Sequence, residues 1–135
     1  MKKELTNKEI VHVLDEIGKI SKKSYPFQVT RALIKTRKSL LSEYEIYARE
    51  LEKIYSEYFE MDKNGVVKKD KNGGMVLKTP ESGPDAINAI QILLNETIQD
   101  VEVYQFHEKE LEPLQEISGE EYELFEKYFI CEEAG

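Results

Sequence analysis

Apolar residues recur every three or four positions between residues 33 and 58, and this periodicity constrains the fold more than any other feature of the sequence. The seam follows a seven-residue repeat that Arg37 interrupts, and it consists of Leu33, Leu40, Tyr44, Tyr47, Leu51, Ile54 and Tyr58. It predicts one long helix over about 27–60, on the order of 50 Å at 1.5 Å per residue. One small core does not need such a length, so part of the helix is expected to pack on other helices, pair with a second copy or bind a partner.

Four tyrosines on this helix are candidate partner-binding residues: Tyr44, Tyr47, Tyr55 and Tyr58. Tyrosine buries a large area at little rotamer cost, and its hydroxyl tolerates water, so it suits an interface better than a coiled-coil core. Two alternatives stay open at this point. These side chains pack in the core of the protein, or the long helix forms a homodimer.

Shorter elements are predicted around the long helix. Thr6 with Glu9, and Ser118 with Glu121, have the capping-box spacing that begins a helix, and apolar periodicity predicts a further helix over about 86–94. The tetrad Asp-Lys-Asn-Gly occurs at 62–65 and 70–73 and predicts the turns of a β-hairpin over about 66–78. Val101 and Val103 alternate with polar residues, which predicts a strand over about 99–106 paired with that hairpin.

The fold class expected is therefore α+β and mainly α, with about four helices and a small antiparallel sheet formed by the hairpin and the further strand. The length of 135 residues suits a single domain over 1–135, with a flexible C-terminal tail at about 131–135.

Charge is distributed unevenly along the chain. Residues 1–38 contain ten basic and four acidic residues, whereas residues 99–135 contain two basic and twelve acidic ones, within a total net charge of −8. Either the two ends lie close together and screen each other, or the acidic third meets a basic partner. The acidic candidates for partner binding are Glu108, Glu110, Glu112 and Glu116.

A candidate basic patch lies near the other end of the sequence and consists of Lys19, Lys22, Lys23, Arg31, Lys35, Arg37 and Lys38. Nucleic-acid contact through this patch is the weaker alternative, because the total charge is negative and no aromatic-rich nucleic-acid motif accompanies the patch.

Reactive side chains are few, so no enzyme activity, catalytic residue, metal or cofactor is expected. Counted from Asp62 or Asp70, the tetrads lack the glycine at position six of an EF-hand loop. His107 and the glutamates that follow it do not have a metal-ligand spacing, and Cys131 is interpreted as a small apolar residue at a helix end. One cysteine and the lack of any long apolar segment favour a cytoplasmic protein with no membrane contact.

The sequence resembles a family of uncharacterised small proteins from phages and prophages of Gram-positive bacteria. The similarity covers most of the chain and is carried by Asn7-Lys8-Glu9-Ile10-Val11, Arg31-Ala32-Leu33-Ile34, the segment from Asp62 to Lys78, the segment from Asn95-Glu96-Thr97 to Val103, and Ser118-Gly119-Glu120-Glu121. The resemblance implies a phage-related protein in the cytoplasm of a bacterial host.

Two classes of function are expected from these features. In the first, the protein is a stoichiometric binder that inhibits a host protein, of the anti-defence or anti-CRISPR type, and its partner is encoded by the host or the phage. In the second, it is a morphogenesis accessory, such as an assembly chaperone or a minor virion component.

Overall fold

The computed structural model describes residues 1–131, so the predicted tail lies outside the described residues from position 132 onward. In chain order the elements are β1 (Lys2–Thr6), α1 (Asn7–Ile20), α2 (Phe27–Tyr58), α3 (Ser82–Leu94), β2 (Thr97–Glu102), a 3-10 helix at Glu108–Leu111, and α4 (Gly119–Leu124), which continues as a π-helix over Phe125–Phe129. The predicted α+β class with a dominant long helix is confirmed.

The described chain divides into two compact units. Unit 1 comprises Met1–Tyr44 together with the chain from Thr97 onward, and unit 2 comprises Glu45–Glu96. Helix α2 is continuous through the boundary between these two ranges. The prediction of a single domain stays a prediction.

The core of unit 1 is built on α1, α2 and the C-terminal helical segment. Thr6 and Glu9 form the predicted capping box, in which the Thr6 hydroxyl accepts from the Glu9 N–H at 3.1 Å and the Glu9 carboxylate accepts from the Thr6 N–H at 3.2 Å. This start sets the phase of α1 and turns one stripe inward. The buried apolar residues of the core are Leu5, Ile10, Val13, Ile17, Val29, Ala32, Leu33, Leu40, Val101, Val103, Phe106, Leu124, Phe125, Tyr128 and Phe129.

The sheet of unit 1 has a different composition from the one predicted. Strand β2 pairs antiparallel with β1, in the register Lys2 with Glu102 and Thr6 with Thr97. The predicted pairing of this strand with the hairpin is wrong, because β1 is the strand to which β2 is hydrogen-bonded. Asp100 lies at a bulge in β2 with φ 58°, which accommodates one more residue on β2 than on β1.

Unit 2 contains the predicted hairpin and a third extended segment. Backbone hydrogen bonds join the three segments in a closed ring. Asp62 and Asp70 each accept two backbone N–H bonds within their own turns, and Gly65 and Gly73 supply the positive φ that these turns require. Three residues spaced eight apart then close the ring: the Lys68 N–H donates to the Glu60 carbonyl, the Val76 N–H to the Lys68 carbonyl, and the Glu60 N–H to the Val76 carbonyl. The repeated tetrad therefore marks an eight-residue structural repeat.

No helix within residues 1–131 combines the length and the apolar character that crossing a membrane requires.

Candidate protein-binding surface

Four of the seven residues of the candidate basic patch lie in the N-terminal half of α2, and no aspartate or glutamate occurs between residues 17 and 42. This run of the chain includes the end of α1, the connection to α2 and four turns of α2. Lys19 has Asp15 and Glu16 close to it on α1, but the other six cations have no acidic neighbour in sequence, so their neutralising charge must come from elsewhere in the fold or from a partner.

Three of the seven predicted cations have partners within unit 1. Lys19 contacts Asp15 at 3.4 Å and Glu16 at 3.2 Å on its own helix. Lys23 contacts Glu121 at 3.1 Å, and the ammonium of Lys35 lies 5.2 Å from the ring centroid of Tyr104. The basic and acidic ends of the sequence thus meet at Lys23. One of the two interpretations of the charge distribution predicted that these ends lie close together.

The other four cations, Lys22, Arg31, Arg37 and Lys38, are exposed and form no ion pair with any residue of 1–131. Three of them lie on α2. The structure therefore leaves an excess of positive charge on the solvent side of the N-terminal half of this helix.

Two large apolar side chains lie among these cations, and the sequence interpretation did not select them. Phe27 is 74% exposed and Ile34 is 51% exposed. With Arg31 between them they follow the spacing i, i+4, i+7, so they share one face of α2. A signal was present in the sequence: Phe27 and Ile34 are apolar residues outside the seam that buries Leu33 and Leu40.

A cavity of about 390 Å³ opens beside this face, between the end of α1 and the first turns of α2. Ile17, Leu33 and Ile34 provide its apolar wall, and Lys23 and Arg37 provide two cations. The rest of the lining consists of Gly18, Ser21, Tyr25 and Thr30, so no carboxylate lines it.

Hydrogen bonds fix one side of the cavity. The Tyr25 hydroxyl donates to the Glu121 carboxylate at 2.6 Å, and the Lys23 ammonium donates to the same carboxylate and, at 2.6 Å, to the Glu116 carbonyl. Glu121 belongs in turn to the capping box of α4 with Ser118. Tyr25 and Lys23 are thereby held in place by an element about a hundred residues away in the sequence.

These contacts shift the protonation equilibria of the same groups. Burial acts to raise the pKa of Glu121, but hydrogen bonds from Tyr25, Lys23 and the Ser118 N–H outweigh it and lower that pKa below its ordinary value. Burial first, and then the hydrogen bond to Glu121, raise the pKa of the Tyr25 hydroxyl. The carboxylate therefore stays ionised and the phenol stays neutral at physiological pH.

The four predicted acidic residues lie in the connector that follows β2. Glu108 accepts a hydrogen bond from the Tyr122 hydroxyl at 2.7 Å, and this bond raises the pKa of Tyr122. Glu108 and Glu112 line an open cavity of about 960 Å³, whereas Glu116 contributes its main-chain carbonyl to Lys23. Glu110 is half-buried in the 3-10 helix. The structure thus brings Glu108 and Glu112 to one cavity.

The four predicted tyrosines differ in burial. Tyr47 is only 8% exposed, so it is a core residue, and its assignment to a partner surface is corrected. Tyr44 is exposed, while Tyr55 and Tyr58 are half-buried. Tyr55 also packs edge to face on Phe59, with 5.8 Å between ring centroids. The tyrosines of α2 therefore do not present a continuous tyrosine surface.

Cys131 and His107 come together although 24 residues separate them. The Cys131 Sγ lies 3.3 Å from the His107 Nδ1 and 3.4 Å from the Phe106 carbonyl oxygen. The thiol donates its proton to the Phe106 carbonyl, and whether the His107 Nδ1 acts as donor or acceptor toward the sulfur depends on the ring tautomer. In the described range 1–131, no three histidine, cysteine, aspartate or glutamate side chains are grouped so that they could hold a metal ion.

Comparison of the chain with protein-family models, with curated proteins and with solved structures gave no match.

Proposed function

We propose that this protein acts as a stoichiometric binder of another protein, without catalysing a reaction, and that it inhibits that partner in the cytoplasm of a bacterial host. The observation that carries the proposal is the exposure of Phe27 and Ile34 among unpaired cations on one face of α2. Each such side chain gains about 1.5 to 3 kcal/mol when it is removed from water. A face that combines large apolar side chains with a surplus of arginine is typical of protein interfaces.

The sequence resemblance supports the phage origin, and the polarised charge supports the role as a binder. A dense field of one sign raises association rates and selects partners of opposite charge. A small protein that must capture its target quickly at low abundance benefits from this steering.

The binding proposal is tested by affinity capture from a Gram-positive host lysate, prepared with and without phage infection, and by the mass of the recovered complex on size exclusion. Wild type is compared with Phe27→Ser and with the control Ile87→Ser, whose side chain on α3 is 64% exposed. We expect one partner at fixed stoichiometry, lost with Phe27→Ser and kept with Ile87→Ser. Recovery of the bait alone, as a dimer or larger species, would instead favour the assembly accessory.

The inhibition proposal needs a separate readout. A restricted phage is plated on host cells that express wild type or Phe27→Ser. We expect wild type to raise plating efficiency and Phe27→Ser to leave it unchanged. Partner capture without any change in plating, or in the activity of the purified partner, would refute inhibition and leave the binder.

A further inference from the structure

We infer that the 390 Å³ cavity between α1 and α2 binds an apolar side chain from an acidic segment of the partner protein. This inference rests on the proposed function and names the chemistry of the partner. Acidic segment here means an extended or helical stretch with aspartate or glutamate on both sides of one large apolar residue.

The cavity is large enough to admit an inserted side chain, and part of its wall is apolar. Sites for small molecules span about 300 to 1,000 Å³, so this cavity is near the lower end of that range. Ile17, Leu33 and Ile34 form an apolar wall, and Ile34 continues onto the exposed face that includes Phe27. An apolar anchor in the cavity would therefore be flanked by Phe27 on the surface outside it, as interface hot spots are flanked by contacts that exclude water.

The charges in and around the cavity determine which kind of partner segment it binds. Arg37 lines the cavity and has no ion pair within residues 1–131, and Arg31 and Lys38 lie on the same helix. Lys23 already has Glu121 as its partner, so Arg37 is the cation that offers a free planar fork to an incoming carboxylate. The lining of the cavity contains no carboxylate, and the free cations around it favour an acidic segment.

A nucleic acid fits this surface less well than an acidic protein segment. Phosphate backbones are bound by many cations together, whereas this chain has a net charge of −8. Exposed Phe27 and Ile34 add area that a phosphate backbone does not use.

The cavity is preorganised, which lowers the entropic cost of binding. Glu121 fixes Tyr25 and Lys23, and the Thr30 hydroxyl donates to the Tyr25 carbonyl at 3.1 Å. These bonds connect the linker after α1 both to α2 and to α4.

The test is selection of a displayed library of random twelve-residue peptides on the intact protein. Affinities of the labelled winners are then measured by fluorescence anisotropy, with a single-stranded oligonucleotide of similar charge as a competing probe. We expect winners with one large apolar residue between acidic residues, and binding that weakens as salt is raised. Winners without acidic residues, no winners at all, or tighter binding and displacement by the oligonucleotide would each overturn the inference.

Matched variants locate the site. Arg37→Glu is compared with Lys38→Glu, which makes the same change in charge one residue away, outside the cavity lining. We expect Arg37→Glu to weaken peptide binding about tenfold or more and Lys38→Glu less than about threefold. Ile34→Ser is compared with Ile46→Ser, which is 57% exposed further along α2. Equal losses within either pair would overturn the inference.

Failure of the inference and failure of the proposed function give different results. If Arg37→Glu captures the lysate partner as well as wild type does, the cavity assignment fails and the binder remains. If selected peptides bind the cavity while wild type captures no partner, the proposed function fails.

Discussion

Replacing Thr36 by valine tests whether a single buried hydroxyl anchors α2 to the chain that follows β2. Thr36 is fully buried, and its Oγ1 accepts a hydrogen bond from the Tyr104 N–H at 2.9 Å. Valine has nearly the same shape and is also β-branched, so helix propensity changes little. The substitution removes the acceptor and leaves the Tyr104 N–H without its partner.

The expected loss in free energy of unfolding is about 1 kcal/mol, because the Tyr104 N–H is only part-buried and loses its partner. For a chain of this size, that corresponds to a fall in Tm of about 3 to 5 °C per kcal/mol. Thr36→Ser is the matched variant, because it keeps the hydroxyl and loses one methyl group, at about 1 kcal/mol.

Urea denaturation followed by circular dichroism gives the free energies, and amide hydrogen exchange of Tyr104 gives the local readout. We expect exchange at Tyr104 to accelerate in Thr36→Val and to stay slow in Thr36→Ser. Unchanged stability and unchanged Tyr104 exchange in the valine variant would refute the reasoning, since the hydroxyl would then contribute nothing to the connection.

Three further predictions concern stability. Tyr47→Ala should cost about 2 to 5 kcal/mol in thermal or urea unfolding, because the side chain is buried, and a loss below about 0.5 kcal/mol would count against a core role. Because the pKa of Glu121 is lowered in the folded state, its ionised carboxylate stabilises the fold fully at any pH above the ordinary carboxyl pKa. This stabilisation disappears as the pH falls through the pKa of Glu121 in the folded state. Glu121→Gln should therefore lose less stability than wild type between about pH 5 and pH 3, and parallel acid-unfolding curves would contradict this. Gly65→Ala should destabilise by about 1 to 2 kcal/mol, because φ is +78°, whereas Gly18→Ala should stabilise α1 by about 0.5 to 1 kcal/mol, and calorimetry showing the same sign for both would contradict the backbone explanation.

Local signals in the sequence were sufficient for α1, α2 and the start of α4. Both capping boxes were predicted at the residues where they occur, and α2 ends within two residues of the predicted limit. These features depend on neighbours three or four positions apart, so a single sequence contains the information needed to identify them.

Strand β1 could not be predicted in the same way. Lys2-Lys3-Glu4-Leu5-Thr6 has one apolar residue, so it lacks the alternation typical of a strand. Its pairing with β2 depends on a contact across about a hundred residues, and no local pattern encodes which strand occupies an edge. The same limit explains why the hairpin was given the wrong partner strand.

The candidate surface has features that the sequence predicted and features that it did not. The cations of this surface were predicted from the sequence, but which of them pair was not. Lys23 meets Glu121, and Lys35 meets Tyr104, only in the folded chain. Phe27 and Ile34 were assigned to α2, but the side of the helix on which they lie was not predicted. Their exposure follows from the phase of the buried seam.

The order in which the chain is made bears on how it folds. Unit 2 is one continuous stretch from Glu45 to Glu96, whereas unit 1 is assembled from two stretches that flank it, and Lys2 pairs with Glu102. Contacts of such high contact order form slowly, because the chain between them must first be closed into a loop. During synthesis the inserted unit can fold as soon as it leaves the ribosome, while β1 must wait for β2. Until then Leu5 and the apolar stripe of α1 lack their final cover, so we expect the nascent N-terminal segment, rather than unit 2, to be the part that aggregates or recruits chaperones.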